Sequence, residues 1–170
     1  MKFNRVFLVY IFIFAALLLF SYYLASKTKN FELLWGRIKK EHRPIYLISV
    51  LLCAIAFMLF LYYVFIKSDF TQEQITIIFT LCLLIIFLSK FWTLFSFQYL
   101  DNKKPFWKYA TQFILLLIPI TIITLLYNVY KINDKKELSV LKLIVMVGLL
   151  YFFLHTFFLD FILWSRNFFD

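Results

Sequence analysis

Five long apolar runs divide this chain, and short polar stretches separate them. They extend over about Val6 to Ala25, Pro44 to Ile66, Ile75 to Leu100, Tyr109 to Tyr130 and Leu138 to Trp164. A helix crosses a ~30 Å hydrocarbon layer in about 20 residues, and every run reaches that length. Backbone amides in lipid need partners within their own segment, so spans of this kind are helical. The expected fold is an all-α integral membrane bundle of five transmembrane helices, with residues 1–170 as one polytopic domain. Hydrophobic residues make up 64% of the chain and charged residues 16%. Soluble domains carry about 25% charged residues, and disordered chains are poor in apolar ones, so both alternatives fail.

Lys2 and Arg5 precede the first run, as in a signal peptide. That run is long for a cleaved signal, and Leu24-Ala25-Ser26 makes a poor cleavage site. An uncleaved first helix is expected, and cleavage would leave four. Basic residues in alternate loops number 6 and 10, the larger set lying in 26–43, 101–108 and the C-terminal stretch. The positive-inside rule then puts the N-terminus outside and the C-terminus inside. Trp35, Trp107 and Trp164 fall on the more basic side. Tyr22, Tyr23, Tyr62, Tyr63, Tyr99 and Tyr130 lie near predicted ends, as an interfacial aromatic belt requires. The net charge of +9 is thus read as topology control and contact with anionic headgroups, not nucleic-acid binding.

Phe31, Leu34, Trp35 and Ile38 recur at helical spacing, with Arg37, Lys39, Lys40 and Arg43 crowding the same stretch. This pattern predicts an interfacial amphipathic helix over 30–41, with Asn30 as its N-cap. Trp35, Arg37, Lys39, Lys40 and Arg43 are its candidate headgroup contacts. Gly36 weakens such a helix, and the alternative is a basic loop.

Ionisable side chains inside apolar runs are the first functional suspects, because each costs roughly 2.5–3.5 kcal/mol on insertion scales. Three are the candidates: Lys90, His155 and Asp160, whereas Lys142 lies at the entry of its run. Lys90 can snorkel to the interface or find a partner, and Asp160 is a geometrically allowed one. Thr76 and Thr80 project from the Lys90 side of an ideal helix. His155 suits an interhelical hydrogen bond or a proton relay. Haem would want a second axial ligand, and His42 lies at a different depth. In the fourth run Thr121, Thr124 and Asn128 share a face near Pro119. They can line a cavity or hydrogen-bond between helices. Ser49, Cys53 and Ala56 form a small-residue stripe on the second run, suited to close helix approach.

Catalytic motifs are missing. The sequence has no HxxxH or HExxH for metal and no CxxC, and Cys53 and Cys82 lie inside apolar runs. The two glycines, Gly36 and Gly148, cannot build a phosphate loop or a nucleophile elbow. No cofactor is expected, and the chain reads as a non-enzyme. Lysine outnumbers arginine 14 to 4 and there are 24 Phe, a skew toward AT-rich codons. It points to an organellar, viral or AT-rich microbial origin and leaves the particular membrane open.

Leu34-Trp35-Gly36, followed by Arg43, Tyr46 and Ser49 entering an apolar run, resembles the opening of small, uncharacterised multi-pass membrane proteins of marine microbes and large DNA viruses. The resemblance covers about twenty residues. It implies a helical bundle after residue 43 and carries no known activity. The additional first run and the poverty in glycine depart from it.

These readings converge on a structural or accessory membrane protein, a small subunit of a larger assembly. The alternative is a small channel or proton-coupled carrier in which Lys90, His155 and Asp160 face a shared cavity. A lipid-modifying enzyme with His155 as base is the third option.

Overall fold

The computed structural model describes residues 2–28, 31–66, 70–132 and 139–169. Its long helices are α1 (Lys2–Ser26), α2 (Arg43–Ile66), α3 (Gln72–Asn102), α4 (Pro105–Lys131) and α5 (Ser139–Leu154). From α5 the chain continues through a π-helical stretch, His155–Trp164, into a short α6 (Ser165–Phe169). There is no strand among the described residues. Five helical segments are long and apolar enough to cross a membrane, with α5 to α6 counted as one. The chain is thus an all-α bundle of the kind a multi-pass membrane protein requires.

Local chemistry sets the helix ends. Thr71 Oγ1 accepts from the Gln74 amide while Gln74 Oε1 accepts from the Thr71 amide, a reciprocal cap that opens α3. Glu73 in the first turn suits the positive end of the helix dipole. At the other end Lys103 takes a left-handed φ of 52° and returns its amide to the Tyr99 carbonyl. Pro105 then begins α4, where a missing N–H costs nothing. The expected polar loop over 101–108 therefore shrinks to Lys103 and Lys104, and α3 and α4 form a tight antiparallel pair. The Asn30 cap and the 133–137 loop lie outside the described residues.

Packing follows side-chain size. Ser49, Cys53 and Ala56 are buried along the α2 face that meets α5. A Cβ added to Gly148 would sit 2.9 Å from the Ala56 Cβ, so the two backbones cross closely here. Pro119 is buried inside α4, among Leu115, Ile118 and Ile122. α1 lies to the side and runs parallel to α3. Phe7 stacks on Phe79 at 4.2 Å, and the Tyr22 hydroxyl donates to the Ser89 carbonyl at 2.6 Å.

Residues 31–42 do not form one amphipathic helix. Two 3-10 turns, Phe31–Trp35 and Lys40–His42, flank a break at Gly36, whose φ is +52°. A Cβ there would come within 2.3 Å of the Asn167 carbonyl oxygen. Leu34 and Ile38 turn down onto the bundle and are buried. The segment is tied to the end of the chain: Trp164 Nε1 donates to the Leu34 carbonyl at 2.8 Å, and the Arg37 amide donates to Asn167 at 2.9 Å. The expected C-terminal tail is helical as far as Phe169, and Phe168 and Phe169 pack on Tyr99 and Trp164. Trp164 and Tyr63 are buried and do not belong to an interfacial belt.

Candidate functional site

Where α2 crosses the last helix, four polar side chains form a continuous line. Ser49 Oγ lies 2.6 Å from the Tyr151 hydroxyl and 2.7 Å from His155 Nδ1. His155 Nε2 faces Asp160 Oδ2 at 3.5 Å. One hydrogen-bond assignment satisfies the line. Tyr151 donates to Ser49, Ser49 donates to Nδ1, and the N–H on Nε2 points at the carboxylate. The His155 side chain is 3% exposed, whereas that of Asp160 is 33% exposed, so the buried centre of the line opens at one end to a partly exposed carboxylate.

The π-helical stretch makes this arrangement. In an α-helix residue i+5 points about 140° away from residue i. Hydrogen bonding from i to i+5 widens the turn and returns residue i+5 toward the face of residue i. His155 and Asp160 are five apart, and the wide turn begins at His155. Thr156 lies at the transition, with its hydroxyl shared between the carbonyls of Phe152 and Phe153, both at 3.1 Å. Tyr151 and His155 are four apart and meet Ser49 together, across the close approach that Ala56 and Gly148 permit.

Lys90 does not join this group. It is exposed on α3, at the rim of a shallow groove of about 140 Å³ whose walls include Phe14, Leu18 and Phe87. It has no acidic partner among the described residues, and Asp160 pairs with His155 instead. Thr76 and Thr80 are exposed too. On α4, Thr121, Thr124 and Asn128 each bond to a carbonyl of their own helix, at Leu117, Ile120 and Thr124. Each of these groups thus donates within its own helix, and none of the three lines a described groove. Among the headgroup candidates, Arg37, Lys39 and Lys40 are exposed and Trp35 is half-buried. Arg43 turns inward. Its side chain is 17% exposed, pairs with Glu32 and lies 5.2 Å over the Trp35 ring.

Sequence reasoning missed Ser49 as a partner of His155, and it missed Tyr151 altogether. The spacing of Tyr151 and His155 by four residues was the available signal. No group of three or more metal-ligating side chains occurs among the described residues. The chain matches no known protein family, no curated protein and no solved structure.

Proposed function

We propose that this chain is an accessory subunit of a larger membrane assembly, and Lys90 carries the reading. α3 has 31 residues and is about 46 Å long, so it overreaches a ~30 Å hydrocarbon layer at both ends. Lys90 lies twelve residues before Asn102, about 18 Å from the helix end. If the layer is centred on α3, the ammonium starts about 10 Å inside it, facing outward. A partner helix offering a carboxylate or hydroxyls at that depth converts an insertion cost into a docking contact. The basic residues gathered around the 31–42 segment and the 103–104 turn support an orientation with that end inside.

The test is native mass after gentle extraction from the source, with a photo-crosslinking residue at Phe87. The expected result is a stable complex with one crosslinked membrane partner, released in Lys90→Met. A particle near 20.7 kDa plus detergent, with no crosslink, rejects the subunit reading. The carrier reading needs Lys90, His155 and Asp160 in one cavity, and neither described groove is lined by all three.

The 2.7 Å Ser49–His155 contact favours a second reading, in which Ser49 is a nucleophile, His155 its base and Asp160 the group that orients the ring. Such a serine gives its proton to His155 as it attacks an ester carbonyl of a lipid, the ester C–O bond breaks and the leaving alcohol takes that proton, and water then hydrolyses the acyl-serine to a fatty acid. A fluorophosphonate probe then labels the native chain but not Ser49→Ala or His155→Ala. Absence of labelling in the native chain removes this reading.

A further inference from the structure

The outer surface between α4 and the last helix carries an open groove of about 540 Å³, separate from the polar line. That volume lies within the ~300–1,000 Å³ range of small-ligand sites. Its lining changes character with depth. Gln112, Ser165 and Arg166 form the end nearest the 31–42 segment, and Leu116 and Phe161 form the walls one turn deeper. Gln112 Nε2 donates to the buried Ser165 hydroxyl at 3.2 Å, which fixes the polar back wall. Arg166 is exposed and pairs with no acid among the described residues. Lys108, one turn before Gln112, lies over the Phe169 ring at 5.7 Å and adds a second positive charge at the same end.

The groove thus presents cation and amide donors at its outer end and hydrocarbon below, in the order a membrane lipid presents them. A free anion leaves the apolar walls unused. A zwitterionic lipid brings the same phosphate together with a cationic headgroup, which Arg166 and the nearby Lys108 repel. Arginine's planar fork also fits a phosphate better than a point charge does. We infer that this groove holds one anionic phospholipid, its phosphate on Arg166 and an acyl chain along Leu116 and Phe161. The inference is independent of the Lys90 reading and of the basic 31–43 segment.

Native mass spectrometry of the full chain in mild detergent tests it, with phosphatidylglycerol, phosphatidylcholine or inorganic phosphate added in turn. The native chain is expected to retain one phosphatidylglycerol about tenfold better than phosphatidylcholine. Arg166→Gln makes the two lipids equal, and Leu116→Trp lowers both by filling the groove. Inorganic phosphate displaces neither. Equal retention of both lipids by the native chain overturns the proposal. So does unchanged preference in Arg166→Gln, or its loss in Lys39→Gln/Lys40→Gln instead. Displacement by inorganic phosphate reduces the groove to a plain anion site and also overturns it.

Discussion

His155 is the residue on which the α2–α5 crossing depends most. It gives Ser49 an acceptor at 2.7 Å and faces the Asp160 carboxylate at 3.5 Å. His155→Ala removes both contacts while Ser49 keeps Tyr151, and two lost hydrogen bonds together cost about 1–3 kcal/mol. At about 2–4 °C per kcal/mol for a chain of this size, Tm in detergent falls by roughly 2–12 °C. Ser49→Ala is milder, about 0.6 kcal/mol for a membrane hydrogen bond. A cycle of the two single variants and the double variant measures their coupling. Strict additivity means that the contact carries no energy. His155 and Asp160 were legible as ionisable residues in an apolar run. Their pairing was not, because α-helical spacing points them apart. Ser49 read as a small packing residue, since a buried hydroxyl and a methyl look alike in a pattern of side-chain sizes.

At the scale of elements, Gly36 decides the shape of the 31–42 segment. Its positive φ and the nearby Asn167 carbonyl leave no place for a side chain. Gly36→Ala is expected to cost about 1–3 kcal/mol, the range for a residue forced into a sparsely populated backbone region. Hydrogen exchange at the Arg37 amide reads the damage locally, because that amide bonds to Asn167. Protection equal to that of the native chain contradicts the expectation. The apolar spacing of Leu34 and Ile38 did mark an inward face, and both are buried. It mistook the element because helical periodicity ignores one glycine that bends the path. The five long helices were legible for the opposite reason: their length in apolar residues leaves lipid-spanning helix as the solution. The π-helical stretch had no local signature, since backbone bonds from i to i+5 distinguish it and no residue pattern over 155–164 marks them.

Across the whole molecule, one end ties together segments that lie far apart in the sequence. The 31–42 segment, the 103–104 turn and α6 meet there through Trp164, Tyr99, Phe168 and Phe169. The sequence showed this end as a concentration of basic residues and tryptophan, but not that the pieces interlock. The number of Lys and Arg reports which side of a membrane a loop prefers, whereas interlocking depends on carbonyl positions that composition does not encode. The Leu34–Trp164 hydrogen bond joins residues 130 positions apart. At the ~5–20 residues per second of protein synthesis, roughly ten seconds pass between the appearance of its two halves. During that interval Leu34 and Ile38 must wait without their final cover. The early helices are therefore inserted well before this end of the molecule can close, and an insertion machine or a neighbouring lipid has to shelter the unfinished surface in the meantime.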